Sequence, residues 1–483
     1  MLFTMRWRPS IKGGENMKIV VCVKQAVSGE LNPFDACAYE AALQIPGAEV
    51  VLLSMGPEKT KDFLLELTRL GAQQAYLLCD KAFAGADTLA TAYTLSLAVK
   101  RLQPDLVICG RQTVDGDTGQ VGPSLAQVAD LNLITNVMEI KTVQEGLSCV
   151  TRTEGECTAL YPALITVEKI NQLRLPSIRS KRGTVTLWNA DDLQADRERC
   201  GQKGSPTKVL ASFHNTEGKR KCQFVEPAML DSLIAQGLQK EKMRITPPEQ
   251  DGPRLKNVWI VGEKCKAMAE TVSDDIRVVP KGTDADWLAG FVQRVREQNP
   301  TAVLWDSDPW SKKMAPQAAA ILQTGLCADC TALQTDGEQL YMYRPAFAGN
   351  VMAKIACATR PQMATVRTLA EGTADVLCAI GRGGKTAQKA IENYVAKQEN
   401  ARFEIAASRG AVDLEMLPYP KQVGLTGKQV SPPVYIAIGI SGAVHHIAGM
   451  QQSGTVIAIN PDKNAPIFDY ADYGIVATAE EVF

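Results

Sequence analysis

The amino-acid sequence predicts an α/β protein with three domains: two related, doubly wound parallel-sheet units and a further α/β domain at the C-terminal end. Three observations lead to this fold class. Short apolar runs rich in β-branched residues alternate with longer helical patterns, as in parallel sheets whose strands are joined by helices. A block of the first half recurs, in order and spacing, in the second half. A length of 483 residues suggests about three domains of ~150 residues each.

The predicted strands are continuous apolar runs, which is typical of strands that are buried on both faces of a parallel sheet. They comprise residues 18–23, 49–54, 75–79, 105–110, 163–168, 256–261, 301–305, 363–366, 375–380, 434–440, 455–460 and 474–477. The helical patterns between them include residues 33–43, 59–70, 86–102 and 122–129. Asn32 and Pro33 open the first of these helices, so Asn32 is either a helix cap or a ligand contact at the carboxyl edge of the sheet.

An internal repeat relates the first two domains. Residues 103–110, 123–133 and 162–167 recur as residues 299–305, 316–326 and 361–366. Each set consists of a strand, a helix that begins near a proline and a second strand that follows a proline, with spacings that agree to within a few residues. Identity between the sets is low, so order and spacing predict two copies of one α/β unit.

The repeat suggests where the domains begin and end. We divide the chain into an N-terminal extension (1–16), a first domain (17–189), a linker (190–207), a second domain (208–375) and a C-terminal domain (376–483). The repeated units in the first and second domains are called the first copy and the second copy below. The linker is polar and contains glycine, which suits a connection between the two copies.

Composition excludes several classes of function. The net charge of -1 gives no reason to expect nucleic acid or an anionic membrane surface as a partner. No apolar run reaches the ~18–20 residues that a membrane span needs. The segment 1–16 is basic and polar and lacks the apolar stretch of a secretory signal. We therefore expect a cytoplasmic protein.

The cysteines support the same expectation. The chain has 13 cysteines, an odd number, and most lie within apolar strands, so we predict reduced thiols and no disulfide framework. Cys327 and Cys330 have CxxC spacing, but neither a second pair nor histidine ligands accompany them. Thiols of the core or of a loop are the favoured interpretation, and no metal site is predicted.

A long glycine-rich loop, residues 110–123, joins the strand at 105–110 to a helix. Its glycines permit a ligand to approach the backbone closely, and the free N–H groups at the start of the helix favour an anion. Thr118 can donate a hydrogen bond to a phosphate, while Asp115 and Asp117 can orient hydroxyls or cap the helix. The alternative is a capped loop without a ligand, although loops of this length are usually functional.

The run from residue 408 to residue 476, here called the C-terminal cradle, has the pattern of a second nucleotide site. The apolar stretch 435–440 breaks at Gly439 and at Ser441-Gly442, and a helical stretch, 443–450, follows at once. A strand that passes through a glycine-rich turn into a helix directs backbone N–H groups and the helix dipole at an anion. The pattern therefore predicts a phosphate-bearing cofactor.

Neighbouring residues narrow the chemistry. The run 380–386 lacks the spacing of an ATPase P-loop, because Cys378 stands where the first glycine would be, but Arg382 suits a diphosphate. His445 and His446 begin the helix after Gly439 and can hydrogen-bond a heterocycle carbonyl. No Ser-His-Asp set or carboxylate pair stands out in the sequence, so the cofactor is expected to supply the chemistry.

At these residues the chain resembles an electron-transfer flavoprotein whose two subunits are fused, the β subunit first and the α subunit second. The α-like motifs are residues 344–350, 360–366, 408–409, 422–428, 439–450, 458–460 and 465–468. The β-like motifs are residues 23–25, 32–35, 86–91 and 110–123. The resemblance covers residues 17–480. It implies two nucleotide-binding-like units followed by an FAD-binding domain at 376–483.

The resemblance also implies site residues. FAD in the C-terminal domain would contact Arg382, Ser408, Arg409, Val423, Gly424, Leu425, Thr426, Ser441, Gly442, Ala443, Val444, His445, His446 and Asn460. A nucleotide in the first domain would contact Cys22, Asn32, Thr113, Val114, Asp115, Gly116, Asp117, Thr118, Gly119, Gln120, Val121, Gly122, Pro123 and Ser124. Arg409 and His446 are the candidates for a direct role. Arg409 would stack on the flavin and favour its anionic reduced or semiquinone form, and His446 would lie near a flavin carbonyl.

The family leaves alternatives open. The β-like site holds AMP in one type and a second FAD in the other, where NADH is oxidised and its electrons are divided, and the run 115–122 resembles the second type. Leu175 matches the leucine that anchors a partner flavin dehydrogenase or reductase, while the sequence does not decide whether ferredoxin takes part. Leu425 and His445 each replace a glutamine that is usual in the family. A nucleotide-binding protein without redox function is the alternative from another class.

Overall fold

The computed structural model describes residues 17–142, 146–168, 172–214, 219–239, 252–282, 286–346, 351–367, 374–424, 427–428 and 430–483. The predicted N-terminal extension, 1–16, lies outside these residues. The chain forms two compact units: residues 1–212, 250–347 and 353–367 belong to the first, and residues 213–249, 348–352 and 368–483 to the second, so far as they are described.

Strands account for most of the interior of both units. They are β1 (Lys18–Cys22), β2 (Glu49–Met55), β3 (Gln74–Leu78), β4 (Leu106–Gly110), β5 (Asn132–Thr142), β6 (Leu147–Thr151), β7 (Gly155–Ala159), β8 (Ala163–Val167), β9 (Thr184–Trp188), β10 (Thr207–His214), β11 (Gln223–Phe224), β12 (Val258–Val261), β13 (Ile276–Val279), β14 (Ala302–Asp306), β15 (Leu326–Cys330), β16 (Ala332–Thr335), β17 (Leu340–Ala346), β18 (Val351–Cys357), β19 (Gln362–Val366), β20 (Val376–Ile380), β21 (Phe403–Ala407), β22 (Val434–Ile438), β23 (Thr455–Ile459) and β24 (Tyr473–Ile475).

Helices connect many of these strands. They are α1 (Pro33–Leu43), α2 (Thr60–Thr68), α3 (Thr88–Leu102), α4 (Val121–Ala129), α5 (Leu230–Gln239), α6 (Lys266–Ala269), α7 (Trp287–Gln298), α8 (Pro309–Leu322), α9 (Gln388–Ala396), α10 (Arg409–Val412), α11 (Val444–Met450) and α12 (Ala479–Val482). Every strand and helix predicted from the sequence coincides with one of these elements. In the described part of the chain, no helix is both long and apolar enough to cross a membrane.

The first copy forms a nine-stranded sheet in the order β7-β6-β5-β8-β4-β1-β2-β3-β9. Its central strands are parallel, and β6 pairs antiparallel with β5 and with β7. From β1 the chain proceeds to β2 and β3 on one side and then returns to β4 on the other. The switch point of this doubly wound sheet therefore lies between β1 and β4.

The second copy repeats this plan in a five-stranded parallel sheet with the order β13-β12-β14-β19-β15. Its switch point lies between β12 and β14, the counterparts of β1 and β4. Strands β10, β18, β17 and β16 form a separate four-stranded sheet. The predicted fold class, with two related doubly wound sheets, is confirmed.

The second unit contains a six-stranded sheet in the order β11-β24-β23-β22-β20-β21. All of its pairs are parallel. The chain moves from β20 outward to β21 and then crosses to β22 on the other side, so the switch point lies between β20 and β22.

Each doubly wound sheet has one hydrophobic core on each face. In β1, Ile19 and Val21 belong to one core and Val20 to the other, and in β22 Ile436 and Ala437 divide in the same way. Successive side chains of a strand point to opposite faces, so burial on both faces requires the continuous apolar runs seen in the sequence.

The predicted linker, 190–207, packs against the first copy. Ser205 Oγ accepts a hydrogen bond from the Asp87 backbone N–H at 2.7 Å, and Asp87 Oδ2 accepts from the backbone N–H of Thr207 at 3.0 Å. Asp87 also caps α3 through Oδ1, so a single carboxylate holds the start of this helix and the end of the segment. The predicted domain boundaries themselves stay a prediction.

Candidate nucleotide sites

A cavity of about 880 Å³, here called the first-unit cavity, lies at the carboxyl edge of the nine-stranded sheet. Residues at the ends of β4, β1, β2 and β3 line it, so it includes the switch point between β1 and β4. Neighbouring strands are about 4.8 Å apart, so four strand ends span roughly 14 Å. Ligands of doubly wound proteins bind at this position.

The loop between β4 and α4, residues 111–120, contributes to the wall of the cavity. Asn32 holds this loop: its Nδ2 donates to the Gln112 carbonyl at 2.9 Å, and its Oδ1 accepts from the Val114 N–H at 3.3 Å. Lys24 Nζ lies 2.8 Å from Asp115 Oδ1. Asn32 is fully buried, and within the described structure its side chain does not cap α1. The cap interpretation of Asn32 is therefore wrong, because its side chain supports the loop.

The start of α4 faces the same cavity. Gln120, the residue before this helix, is buried, and its Oε1 accepts a hydrogen bond from Thr88 Oγ1 at 2.9 Å. Among the described residues, its Nε2 has no hydrogen-bond partner and no side chain caps α4. Asp115 and Asp117, which could have capped it, instead contact Lys24 and Gln112. Unsatisfied donors at this end of α4 suit an anionic or carbonyl-bearing ligand.

Asp35 in the first turn of α1 lines the cavity beside the switch point. Its Oδ2 accepts a hydrogen bond from the Lys24 backbone N–H at 2.8 Å. Burial raises the pKa of Asp35 to about 7, although hydrogen bonds from Asn32 and Lys24 oppose the change. A Cβ at Gly110 would lie 2.4 Å from Asp35 Oδ1, so glycine is needed where β4 ends. A carboxyl group that can gain a proton near neutral pH therefore lies at the switch point.

The second copy supplies another wall of the cavity. Its lining residues include Leu326, Cys327 and Ala328 of β15 and Arg344 of β17. Arg344 is buried, and its Nη2 donates to the Asp117 carbonyl at 3.1 Å. Its Nε has no hydrogen-bond partner within the described part of the chain. The cavity is thus bounded by residues that lie more than two hundred positions apart.

The predicted contacts of the first domain divide into two groups. The cavity is lined by Cys22, Thr113, Gly116, Thr118, Gly119, Gln120, Val121 and Gly122. The lining does not include Asn32, Val114, Asp115, Asp117, Pro123 and Ser124. Several of these support the wall, and Ser124 Oγ donates to the Pro316 carbonyl at 3.3 Å. Sequence reasoning missed Asp35, Arg344 and the residues that follow β2 and β3. For Asp35, an acidic residue in the first turn of the helix that follows a buried strand was an available signal.

In the second unit, the glycine-rich turns of the C-terminal cradle lie at the carboxyl edge of the six-stranded sheet. The turn after β20 packs directly on the turn after β22, since a Cβ at Gly381 would lie 2.2 Å from the Gly439 carbonyl oxygen. Gly439 itself has φ +61° and Gly442 has φ +93°. Asn460, after β23, donates from Nδ2 to the Ile440 carbonyl at 2.9 Å and so holds the turn. These contacts leave a backbone-lined edge at the switch point between β20 and β22.

The predicted arginines lie at the same edge. Ser408 ends β21 and caps α10, with its Oγ accepting from the Ala411 N–H at 3.3 Å. A Cβ at Gly410 would lie 3.0 to 3.2 Å from side-chain atoms of Arg382, so Arg382 runs along this turn. Arg409 is partly exposed and forms an ion pair with Asp413 at 3.4 Å. Two guanidinium groups therefore border the cradle.

The two adjacent histidines differ in environment. His446 is buried, and its Nε2 lies 2.9 Å from the Tyr435 hydroxyl. Burial lowers the pKa of His446 to about 4, so its imidazole is neutral at pH 7. A hydrogen bond with the Val423 backbone opposes this lowering of the pKa. His445 is exposed as a residue, although its imidazole is partly desolvated. This desolvation is the larger cause, and the positive charge of Arg409 the smaller one, of its lowered pKa.

The loop from Gln422 approaches these histidines. A Cβ at Gly424, which has φ +142°, would lie 2.9 Å from the His445 carbonyl oxygen. Val423 is buried beside it, while Leu425 and Thr426 lie outside the described residues. Ser441, Ala443 and Val444 are exposed at the start of α11. The assignment of all these residues to cofactor contacts stays a prediction.

A third functional candidate is the segment 172–183, here called the docking loop. Leu175 is 89% exposed and Ile178 is 99% exposed. Arg174 anchors the loop, because its guanidinium contacts Glu40 of α1 at 2.7 Å and its backbone N–H donates to Glu40 Oε2 at 3.0 Å. Two apolar side chains are thus held out in solvent, which is a feature of protein-binding surfaces.

The sheets and the sites at their carboxyl edges define a doubly wound nucleotide-binding protein. The chain belongs to the electron transfer flavoprotein family. A family model described as the electron transfer flavoprotein domain matches residues 19–193 and 266–397. A second, described as the electron transfer flavoprotein FAD-binding domain, matches residues 372–451. The predicted resemblance is confirmed, and the second match supports FAD as the cofactor of the C-terminal part.

Curated relatives match the N-terminal part. The electron transfer flavoprotein subunit beta of Thermoanaerobacterium thermosaccharolyticum is 40% identical over 208 residues, which is 40% of this chain and 80% of the relative. Protein FixA of Azorhizobium caulinodans is 37% identical over 262 residues, 46% of this chain and 93% of the relative. The caffeyl-CoA reductase-Etf complex subunit CarD of Acetobacterium woodii is 39% identical over 205 residues, 40% of this chain and 78% of the relative.

Proposed function

We propose that this protein carries electrons on FAD bound at the C-terminal cradle and exchanges them with a partner flavin dehydrogenase or reductase. Bound FAD supplies the redox chemistry, because it accepts and releases electrons. The protein's own residues hold the cofactor and set the charge around it. The observation that carries the proposal is the cradle at the β20–β22 switch point, within the match to the FAD-binding domain.

The residues of the cradle fit a flavin dinucleotide. Arg382 and Arg409 supply positive charge for the diphosphate and the flavin, and the glycine turns leave backbone atoms accessible. Nδ1 of the buried His446 carries the proton when Nε2 accepts from the Tyr435 hydroxyl. A cofactor carbonyl is a suitable acceptor for that N–H group.

We further propose that the first-unit cavity holds a second FAD. The support is its extent: the ends of four strands line it, whereas a mononucleotide occupies one side of a switch point and a dinucleotide crosses it. With FAD there, NADH could deliver hydride to this site and its electrons could be divided between two acceptors, one of which could be ferredoxin. A relative is named as a subunit of a caffeyl-CoA reductase-Etf complex, which agrees with a reductase as partner. AMP in this cavity is the competing assignment.

The docking loop is the proposed contact for the partner. Leu175, the residue matched by sequence, and the still more exposed Ile178 would both enter an apolar pocket of the partner. The bidentate Arg174–Glu40 pair reduces the conformational entropy that the loop loses on binding. The 13 cysteines, an odd number that lies mostly within apolar strands, fit our proposal of a cytoplasmic location.

The test is to purify the full chain, record its visible spectrum and quantify the nucleotides that acid releases. Two FAD per chain support both proposals. One FAD with one AMP per chain would contradict the proposal of a second FAD and of electron division, but it would still support the proposal of an electron carrier. A colourless protein with bound nucleotide but no flavin would favour the nucleotide-binding protein without redox function.

A further inference from the structure

We propose that His445 takes up a proton when the FAD in the C-terminal cradle is reduced, so that electron uptake there is coupled to proton uptake. This inference rests on the proposed FAD site. It concerns His445 and not His446, since the two neighbouring imidazoles differ in access to solvent and in hydrogen bonding.

His446 is poorly suited to exchange protons with solvent. Its side chain is buried, and its Nε2 is engaged by the Tyr435 hydroxyl at 2.9 Å. Charging this imidazole would require a cation in the apolar environment that includes Tyr435 and Ile447. His446 therefore remains a neutral hydrogen-bonding group through the physiological pH range.

His445 has the opposite properties. It is exposed at the first turn of α11, and its carbonyl oxygen lies beside Gly424 on the other side of the cradle. Solvent can reach the imidazole, so it can gain and lose protons rapidly. Histidine is also the side chain whose ordinary pKa lies nearest to neutral pH.

The charges around His445 determine when it takes up a proton. Arg409 of α10 is the charged group in the described structure whose field acts on His445. Arg409 is partly balanced by Asp413, Arg382 lies along the same turn at Gly410, and Lys428 is exposed on the neighbouring loop. His446 contributes no charge. Before reduction, partial burial of the imidazole and then the positive charge of Arg409 both lower the pKa of His445 and so favour its neutral form.

Reduction changes this balance. An electron that enters the flavin from a reductant adds one negative charge to the cradle, and this charge favours a cation nearby. His445 then binds one proton from solvent at its free ring nitrogen. The reductant loses the electron and the flavin gains it, while the solvent proton forms an N–H bond on His445. The charge added by the electron is therefore compensated.

The experiment is a spectroelectrochemical titration of the FAD-loaded full chain between about pH 5 and about pH 9, for the native protein and for His445→Gln. Proton uptake at His445 makes the potential fall as pH rises, by up to about 59 mV per pH unit for a one-electron couple, between the pKa values of the oxidised and reduced states. His445→Gln should lose this component of the slope. Lys428→Gln is the matched control: it removes a positive charge near the cradle and should shift the potential without changing the slope.

A second measurement uses ¹⁵N-histidine NMR, in which His445→Gln assigns the resonance. The pKa of His445 should rise on reduction. Equal slopes in the native protein and in His445→Gln, with an unchanged imidazole pKa, would overturn the inference while FAD content still supports the proposed function. A chain that binds no FAD in the second unit overturns both.

Discussion

The first and second copies share one sheet plan but differ at the switch point. In the first copy, the loop between β4 and α4 comprises residues 111–120 and borders the first-unit cavity. In the second copy, only Ser307 and Asp308 separate β14 from α8. The short connection brings the helix directly onto the end of the strand. The same fold is therefore open at one switch point and closed at the other.

Carboxylates fill the second switch point. Asp306, at the end of β14, accepts from the Cys265 N–H at 3.0 Å and contacts Lys281 Nζ at 2.6 Å. A Cβ at Gly262 would lie 2.0 Å from Asp306 Oδ2, so the carboxylate occupies the position beside β12. Asp308 caps α8 by accepting from the Ser311 N–H at 2.9 Å. The helix start that would attract an external anion thus has an internal one.

This difference shows how two copies of one fold can have either an open or a filled switch point. The first copy leaves Gln120 Nε2 unpaired in the described structure, and α4 has no side-chain cap there. The second copy satisfies the equivalent helix start with its own aspartate and adds Lys281 as counter-ion. The two switch points therefore differ in loop length and in two carboxylates, and not in sheet topology.

The largest expected effect is the loss of stability caused by Asp306→Ala. The substitution removes a side chain that is buried and leaves Lys281 and the Cys265 N–H with fewer partners. We expect the free energy of unfolding to fall by about 3 kcal/mol, the low end for breaking a buried ion pair, because Asp308 still neutralises Lys281. Urea unfolding followed by circular dichroism measures the change.

Asp274→Ala is the control for Asp306→Ala. Asp274 pairs with Arg254 at 3.2 Å, but its side chain is 80% exposed, so the loss should not exceed about 1 kcal/mol. Equal losses for the two variants would show that the carboxylate at the second switch point is not a structural replacement for a ligand.

The next effect is a pH dependence that belongs to the open switch point. Burial raises the pKa of Asp35 to about 7, whereas an aspartate in an unfolded chain has a pKa of about 3.9. Between these values the folded protein binds a proton that the unfolded chain has released. Stability contributed by Asp35 therefore falls as pH rises through this window, by up to about 1.4 kcal/mol per pH unit. Asp35→Asn should flatten the dependence.

Unfolding of the native protein and of Asp35→Asn at intervals between about pH 4 and about pH 7 tests this prediction. Asp105→Asn is the matched control, since Asp105 accepts from the Lys18 N–H at the opposite edge of β1 and β4. The control should not reproduce the change in slope. If the free energy of unfolding depended on pH equally in the native protein and in Asp35→Asn, the raised pKa of Asp35 would be contradicted.

The sequence predicted the parallel strands on both sides of each switch point, because a strand with both faces covered must be apolar throughout. It did not predict β5–β7, where Glu139, Lys141 and Glu156 interrupt the apolar pattern and one face is polar. It also missed β9, β10, β11, β13, β15, β16, β17, β18 and β21. At the site, the glycine-rich loop was predicted from its position after a strand. The wall formed by Arg344 could not be, since it depends on packing between segments far apart in the chain.

The smallest expected effect compares the lysines of the two switch points. Lys24 pairs with Asp115 at 2.8 Å, but 47% of its side chain is exposed, so Lys24→Met should cost less than about 1 kcal/mol and still less in high salt. Lys281→Met should cost more, because Asp306 has only 2% of its side chain exposed and would keep an uncompensated charge. Urea unfolding of both variants at low and high salt separates a screened surface pair from an enclosed one.

If Lys24→Met were as costly as Lys281→Met and equally insensitive to salt, the first switch point would also be held closed by its own ion pair. The contrast between an open and a filled edge would then be lost.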